Sequence, residues 1–448
     1  MNKHFRLSPT HIILFSFLGV IFIGSVLLAL PFSSASGEAC SYLDALFTAT
    51  SATCVTGLVT VPTATTWSVF GQIVILALIQ IGGLGLITIT TGIALFFHRK
   101  LKMKDSRLIQ EAFNLNTFSD LISFVKKVLL GTLIVECVGA ILYLPVFVPQ
   151  FGARGIWISF FNAVSAFCNA GLDVVGLNSL YDYATNPLCN AITCALIILG
   201  GLGYIVWWDI FRVLKQGKRK PFQRLTLHSK IVLSSTAILV FGGGILLLIF
   251  EYQNPLTLQS YSLFDKIQIS LFQSITTRTA GFATLPQENL TNASALLCML
   301  LMFIGGSPAG TAGGIKTVTF VVLVATAFST LRNRDEISLF ERSLSRQTVK
   351  KAVTVIFTSF TIFFISTLLL CISTELPLID ALYETVSATA TVGLTRNVTP
   401  FLNEWGKCII ILTMYAGRVG PISLAASFYV KTKNNNAFQN PIEEISVG

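Results

Sequence analysis

Long apolar segments alternate with short polar ones along the whole chain. A spanning helix needs about 20 apolar residues, and by that measure four segments open a repeating unit and four close it. The opening segments are 10–31, 126–149, 229–250 and 351–372, and the closing segments are 67–97, 186–211, 294–328 and 405–430. Shorter segments lie between them at 43–52, 156–167, 265–276 and 379–390. These are too short to span a bilayer and predict re-entrant pore helices.

Each short segment is followed by a small polar loop that ends on a glycine. The four glycines are Gly57, Gly171, Gly281 and Gly393, at intervals of 110 to 114 residues. Such an even recurrence indicates one unit repeated four times. We place the repeats at 1–98, 99–215, 216–335 and 336–432, followed by a cytoplasmic C-terminal tail at 433–448. The expected fold is an all-α integral membrane protein with four parallel helix–pore loop–helix repeats around a pseudo-fourfold pore, as in potassium channels.

Composition supports a membrane protein over a soluble one. The chain is 53% hydrophobic and only 12% charged, whereas soluble domains are roughly 25% charged. The net charge of +10 does not indicate a nucleic-acid partner, because the basic residues cluster after each closing segment. They are Arg99, Lys100, Lys102, Lys104 and Arg107; Arg212, Lys215, Lys218, Arg219, Lys220 and Arg224; Arg332, Arg334, Arg342 and Arg346; and Lys431 and Lys433.

This distribution of basic residues sets the predicted orientation. Lys and Arg are enriched in cytoplasmic loops, so all four closing segments end in the cytoplasm and all four polar loops enter from outside. The repeats are therefore parallel, unlike the inverted repeats of many secondary carriers. We expect a multi-pass protein of the cell membrane, in contact with the lipid bilayer, with cytoplasmic termini.

The four polar loops predict a potassium filter. Backbone carbonyls can replace the hydration shell of K⁺ without a full charge, so the ion can leave again. The side chains before the glycines differ between repeats, which a site built from backbone tolerates. The candidate filter residues are Val55, Thr56 and Gly57; Asn169, Ala170 and Gly171; Thr279, Ala280 and Gly281; and Thr391, Val392 and Gly393.

Charged residues near the loops suggest further roles. Asp44 and Asp380 each lie 13 residues before a filter glycine and are expected to cap the pore helices, whose negative ends would then face the pore and favour cations. Capping without effect on the pore is compatible with the same pattern. Arg278 stands beside the third loop and is expected to hydrogen-bond loop carbonyls or a carboxylate, with Glu384 as one candidate partner.

Glycine clusters recur inside the closing segments. Those at 82–85 and 200–203 are expected to allow tight packing, whereas the stretch from Gly305 to Gly314 contains little that favours a helix. It predicts a helix broken by a loop under the filter, acting as a gate. Arg418, inside the last apolar segment, is expected to guard the cavity below the filter, to hold the broken helix, or to satisfy helix-end carbonyls. The candidate gate residues are Gly305, Gly306, Gly310, Thr311, Ala312, Gly313, Gly314, Lys316 and Arg418.

The sequence contains one segment that resembles a nucleotide site, but neither it nor the cysteines and histidines match the pattern of a functional site. Residues 310–317 resemble a phosphate-binding loop, but Ile315 replaces the required glycine and the flanks are membrane helices. Nine cysteines lack the spacing of a zinc site, and four histidines are scattered near span ends. We therefore expect neither an enzyme nor a bound metal or cofactor, apart from the transported cation.

Together, the four glycine loops, the small-residue stretch 305–314 and Arg418 resemble the superfamily of potassium transporters that includes Trk, Ktr and plant HKT proteins. The resemblance covers about 10–430. It is greatest to the KtrB-type membrane subunits of bacterial Ktr systems, because no extra pair of spans precedes the first repeat.

This resemblance implies potassium as substrate, sodium as an activator, and a homodimer with one pore per protomer. It also implies a cytosolic ring of KtrA-like nucleotide-binding regulatory subunits. Only a short tail follows residue 430, so the regulator is expected to be a separate polypeptide. The alternative function is a less selective Na⁺/K⁺ pathway.

Overall fold

The computed structural model describes residues 9–85, 88–92, 121–217, 220–334 and 336–420. Several predictions lie outside these residues: the basic clusters at 99–107, 218–219 and 431–433, the closing-segment portions 86–87, 93–97 and 421–430, and the tail. Within the described residues the fold is helical apart from one small β-hairpin.

The helices follow the repeating order that the sequence predicts. The first repeat contains α1 (Pro9–Leu28), α2 (Tyr42–Cys54), α3 (Thr63–Thr66) and α4 (Val69–Leu84). The second contains α5 (Leu121–Phe151), α6 (Ala153–Cys168), α7 (Pro187–Leu202) and α8 (Tyr204–Lys215). The third contains α9 (Pro221–Arg224), α10 (Leu227–Glu251), α11 (Leu263–Thr276), α12 (Asn292–Phe303) and α13 (Thr317–Leu331). The fourth contains β1 (Ser338–Leu339), β2 (Arg342–Ser343), α14 (Arg346–Ser373), α15 (Leu378–Ala390) and α16 (Glu404–Val419).

The opening helices α1, α5, α10 and α14 are each long and apolar enough to cross a membrane, which confirms that part of the prediction. Large apolar side chains on their outer surfaces are left exposed, among them Phe22, Leu130, Ile238 and Ile372. A face of this kind suits contact with lipid tails, because the helix satisfies its own backbone hydrogen bonds.

The closing helices begin alike, and those of the first, second and fourth repeats end before a glycine of positive φ. Each starts at a capping side chain that accepts a backbone N–H of its first turn, and these residues are Ser68, Asn186, Thr291 and Asn403. The third closing helix is split into α12 and α13, as predicted. In the second, Gly203 (φ +85°) separates α7 from α8, which are bent by 96°. The first closing helix likewise ends at Leu84, before Gly85 (φ +81°). The expectation of packing without a break is therefore wrong in both the first and the second repeats.

Packing between repeats closes a circle. Each opening helix contacts the pore helix of its own repeat, in the pairs α1–α2, α5–α6, α10–α11 and α14–α15. Each closing helix also contacts the pore helix of the next repeat, in the pairs α4–α6, α7–α11, α12–α15 and α16–α2. This cyclic order confirms four parallel repeats around one axis and leaves the pore helices largely buried.

Candidate functional site

The four glycine loops share one constrained backbone. Two positions in each loop have a positive φ: Val55 (55°) and Gly57 (97°), Asn169 (58°) and Gly171 (66°), Thr279 (68°) and Gly281 (83°), and Thr391 (51°) and Gly393 (97°). Glycine enters this region freely, but a side chain there costs on the order of 1–3 kcal/mol. Such strain persists only where the surrounding structure enforces it, and it is characteristic of functional sites.

The loops meet in a closed ring, the glycine ring, made by Gly57, Gly171, Gly281 and Gly393. A Cβ added to Gly57 would lie 2.6 Å from the carbonyl oxygen of Ala170, and one added to Gly171 would lie 2.6 Å from that of Ala280. An added Cβ at Gly281 would clash with the oxygen of Val392, and at Gly393 with that of Thr56. Each glycine thus faces the carbonyl of the next repeat, and no side chain fits between them.

Serine side chains of the pore helices accept hydrogen bonds from the glycine N–H groups of two of these loops. The Gly57 N–H donates to Ser51 Oγ at 3.0 Å, and the Gly393 N–H donates to Ser387 Oγ at 3.0 Å. The third repeat differs, because there Thr276 Oγ1 donates to the Phe282 carbonyl at 2.6 Å. Sequence reasoning missed these anchors, although a serine six residues before the glycine recurs in three repeats.

The carboxylates of the pore helices do not cap them as expected. Asp44 and Asp380 lie in the first turns of α2 and α15. Asp44 pairs with Lys407 at 2.7 Å, and Asp380 pairs with Arg396 at 2.7 Å. The prediction of backbone capping is therefore wrong, because Lys407 of α16 and Arg396 of the loop after α15 supply charged partners for these carboxylates.

The expected pairing of Arg278 with Glu384 is also wrong. Glu384 accepts hydrogen bonds from Thr395 Oγ1 at 2.7 Å and Thr399 Oγ1 at 2.5 Å. Arg278 is 6% exposed, and its Nε lacks a hydrogen-bond partner among the described residues. Thr395 and Thr399 lie 11 and 15 residues after Glu384 in the chain, and their hydroxyl groups satisfy its carboxylate.

The segment 304–316 between α12 and α13 forms a loop with a closed neck. Gly305 N–H donates to the Ile315 carbonyl at 2.9 Å, Ile315 N–H donates to the Phe303 carbonyl at 3.3 Å, and Thr317 N–H donates to Gly306 at 3.0 Å. We call residues 304–316 the inner loop. The hydrogen bonds that join its two ends do not involve its tip.

The tip of the inner loop lies against the glycine-ring loops of three repeats. Thr311 Oγ1 donates to the Phe167 carbonyl at 3.0 Å and accepts from Asn169 Nδ2 at 2.9 Å. Gly313 N–H donates to Thr279 Oγ1 at 3.2 Å. A Cβ on Gly313 would clash with Thr391 Oγ1, so glycine is required at that position.

The broken second closing helix cradles the inner loop on its other side. Thr311 N–H donates to the Gly200 carbonyl at 3.2 Å, and Ser307 N–H donates to that of Gly201 at 2.9 Å. After the break, Tyr204 N–H donates to the Ala309 carbonyl at 2.9 Å. The bend at Gly203 therefore frees backbone groups that hold the inner loop.

Two basic side chains bind neighbouring carbonyls of the inner loop. Arg418 Nη1 donates to Thr311 O at 2.8 Å and Nη2 donates to Gly82 O at 2.5 Å. Lys316 Nζ donates to Ala312 O at 2.6 Å. Arg418 therefore satisfies a helix-end carbonyl and also ties the inner loop to the first repeat. Gly310 and Gly314 complete this set: Gly310 packs on the Gly200 carbonyl, and Gly314 has a φ of +64°.

A cavity opens on the other side of the glycine ring from the inner loop. It has a volume of about 220 Å³ and is lined by all four ring glycines and by polar residues that include Asp173 and Glu288. Burial raises the pKa of Asp173 to about 6, against hydrogen bonds from Ser179 and two backbone groups that lower it. We call this cavity the vestibule.

Comparison with known proteins agrees with this architecture. The family model described as "TrkH: Cation transport protein" matches residues 8–440. The chain is 39% identical to the potassium/sodium uptake protein NtpJ of Enterococcus hirae, over 99% of this chain and 98% of the relative. It is also 39% identical to the Ktr system potassium uptake protein B of Bacillus subtilis, over 100% of this chain and 98% of the relative.

A solved structure gives the same result for the fold. The crystal structure of the potassium transporter TrkH from Vibrio parahaemolyticus superposes with a TM-score of 0.76 at 18% identity, over 96% of this chain and 86% of that chain. The family match spans nearly the whole chain, and the sequence relatives match over their full length. The chain therefore belongs to the TrkH family of cation transport proteins, among relatives of the Ktr potassium uptake type, and is a multi-pass membrane transporter and not an enzyme.

Proposed function

We propose that this protein takes up potassium through the glycine ring, which serves as the selectivity filter. The observation that carries the proposal is the cyclic contact of each ring glycine with the carbonyl of the next repeat, made by the oxygens of Ala170, Ala280, Val392 and Thr56. Oxygens converging on one axis can replace the hydration shell of a cation. The relatives named as potassium uptake proteins support K⁺ as the substrate.

Helix electrostatics favour a cation over an anion at this ring. The pore helices α2, α6 and α15 end at Cys54, Cys168 and Ala390, one residue before the strained loop positions. The C-terminal end of a helix carries a partial negative charge. Several such ends beside one axis would lower the energy of a positive ion there.

The inner loop is the proposed gate. Its tip hydrogen-bonds Phe167 near the end of α6 and the ring-loop residues Asn169 and Thr279. Its neck is closed independently of the tip, so the tip can move while α12 and α13 stay in place. Arg418 adds a positive charge at this point, which opposes the passage of a cation while the loop is in place.

Arg418→Gln is expected to raise basal K⁺ flux about tenfold in the absence of any regulatory subunit. Hydrogen bonds from charged groups contribute about 1.5–3 kcal/mol, and about 1.4 kcal/mol shifts a two-state equilibrium tenfold. Flux into proteoliposomes measures the change. Arg212→Gln, which removes an exposed arginine bonded to Asp209, is the control and should leave flux unchanged. Equal fluxes in both variants would contradict a gating role for Arg418.

The vestibule should make uptake depend on pH. Above pH 6 the Asp173 carboxylate is charged and attracts cations to the ring; below pH 6 it is neutral. Lowering external pH from 7.5 to 5 is expected to reduce K⁺ flux at low ionic strength by about two- to tenfold. Asp173→Asn should abolish this step, whereas Glu288→Gln should keep it, because it leaves Asp173 intact. An unchanged pH profile in Asp173→Asn would refute the assignment.

The assembly is the part of the proposal that depends most on relatives. We infer a homodimer in the cell membrane, with cytoplasmic termini and a cytosolic ring of KtrA-like nucleotide-binding subunits that moves the inner loop. The Ktr system names of two relatives imply components beyond a membrane subunit. Sodium is proposed as an activator, and no cofactor is assigned to this chain.

The alternative is a less selective Na⁺/K⁺ pathway, which the name of the Enterococcus hirae relative favours. Flux of ⁸⁶Rb⁺ into proteoliposomes, with Na⁺ or K⁺ added as competitor, separates the two. Competition by K⁺ but not by equal Na⁺ supports the potassium pathway. Equal competition by both ions supports the alternative, and an absence of Rb⁺ flux with the regulator supplied would overturn both.

A further inference from the structure

Three polar side chains from different helices meet in the protein interior beside the second loop of the glycine ring. Glu136 lies at the midpoint of α5 and is 3% exposed. Gln80 of α4 donates through Nε2 to Glu136 Oε2 at 3.1 Å. The thiol of Cys168, the last residue of α6, donates to Glu136 Oε1 at 3.8 Å and to Gln80 Oε1 at 3.5 Å.

A carboxyl group buried at the middle of an apolar membrane-spanning helix is energetically unfavourable, so its presence calls for a functional explanation. Ionisable residues inside a membrane helix are costly and are commonly functional. None of the ion pairs in the described part of the chain includes Glu136. Its hydrogen-bond partners are the amide of Gln80 and the thiol of Cys168. An apolar side chain at this position would need neither partner. A purely packing role would be filled better by leucine or methionine.

The cluster is joined to the glycine ring through the backbone that follows Cys168. Cys168 is followed directly by Asn169, which holds a left-handed backbone (φ 58°) and donates to Thr311 of the inner loop at 2.9 Å. A Cβ on Gly83 would lie 2.7 Å from Cys168 Sγ, so α4 presses on the same side chain. The position of Cys168 is thus fixed from two sides, by α4 and by Glu136.

Helix α5 is also linked to the inner loop, through Thr132, one turn before Glu136. Thr132 Oγ1 is 3.3 Å from Tyr204 OH, and Tyr204 N–H donates to the Ala309 carbonyl of the inner loop at 2.9 Å. Helix α5 is therefore linked to the second loop of the glycine ring through Cys168, and to the inner loop through Tyr204.

We propose that Glu136 is a positioning residue for ion selectivity. Its carboxyl group holds Cys168, and through it the loop Asn169–Gly171, in the geometry that the glycine ring requires. Removing the carboxyl should let the second loop relax, and a relaxed ring should discriminate less between K⁺ and Na⁺. This inference rests on the proposed function of the glycine ring.

The test compares K⁺/Na⁺ flux ratios in proteoliposomes for Glu136→Ala, Glu136→Gln and Glu251→Ala. Glu251 is an equally buried carboxylate (1% exposed) that hydrogen-bonds Asn254, Thr257 and Thr291 near the start of α12, away from the ring. It is therefore matched for type and burial. Glu136→Ala is expected to lower the ratio about tenfold, Glu136→Gln to restore most of it, and Glu251→Ala to leave it unchanged.

The outcomes separate the inference from its foundation. A wild-type protein without K⁺ preference would overturn the proposed function itself. A selective wild type with an equally selective Glu136→Ala variant would overturn only the role of Glu136, as would equal losses in Glu136→Ala and Glu251→Ala. If Glu136→Ala is not recovered folded, Gln80→Leu replaces it under the same decision rule, because it removes the amide donor and keeps the volume.

Discussion

Replacing Gly281 by serine is expected to abolish most of the preference for K⁺ over Na⁺. Gly281 has a φ of +83°, and an added Cβ would clash with the Val392 carbonyl oxygen of the next repeat. That oxygen must move, so the ring loses the spacing that matches one ion. We expect the K⁺/Na⁺ flux ratio in proteoliposomes to fall at least about tenfold, which corresponds to about 1.4 kcal/mol.

Gly37→Ser is the matched control for this variant. Gly37 also has a positive φ, +76°, but nothing lies within 4 Å of an added Cβ there. It therefore imposes similar backbone strain without crowding a carbonyl. The Gly37 variant should keep wild-type selectivity. If both variants lose selectivity alike, general destabilisation explains the loss, and if Gly281→Ser stays selective, the ring is not the filter.

Deleting residues 309–314 is expected to raise K⁺ flux strongly, by more than Arg418→Gln does. The deletion removes the Thr311 and Gly313 hydrogen bonds to the glycine-ring loops and also removes the bond between Ala309 and Tyr204. The neck formed by Gly305 and Ile315 remains, so α12 and α13 should stay joined. Flux is measured without a regulatory subunit, where the intact inner loop keeps the pathway closed.

Two controls distinguish an open gate from a damaged protein. Choline should remain excluded, because a general leak would admit it. The same deletion combined with Gly281→Ser should show raised but unselective flux, because the deletion opens the pathway and the serine distorts the glycine ring. Flux equal to wild type after the deletion would mean that the inner loop does not gate the pathway.

Local sequence patterns were sufficient to predict the repeats. The loops at Gly57, Gly171, Gly281 and Gly393 recur at even intervals, and the four opening helices are long, mainly apolar runs. The break of the third closing helix was also readable, because the segment from Gly305 to Gly314 lacks helix-forming residues. Period and composition carry this information without knowledge of distant contacts.

The break at Gly203 could not be read from the sequence. The Gly200–Gly203 cluster closely resembles Gly82–Gly85, and both fit tight packing. In the structure both clusters end their helices, because Gly85 (φ +81°) and Gly203 (φ +85°) share one backbone conformation. In the second repeat the inner loop bonds the backbone of Gly200, Gly201 and Tyr204. Those partners lie about a hundred residues away in the chain, where a local pattern gives no information.

Charged pairs were the other source of error. Asp44 binds Lys407, which is 363 residues distant in the chain, and Asp380 binds Arg396 across a loop. Expecting local helix capping is reasonable where no other cation is near, but the repeats bring such cations together. Glu136 carries a local signal that the sequence analysis did not use, because it is an ionisable residue inside the apolar segment 126–149. Its partners Gln80 and Cys168 come from two other helices and could not be read from the sequence.

The central claim is that cations bind where the carbonyls of four repeats converge, and anomalous diffraction from crystals grown with Rb⁺ tests it most directly. The account predicts an anomalous peak on the axis of the glycine ring, among the carbonyl oxygens of Thr56, Ala170, Ala280 and Val392. Replacing Rb⁺ by Na⁺ should remove the peak. A Rb⁺ peak elsewhere in the protein, with the ring axis empty, would contradict the account.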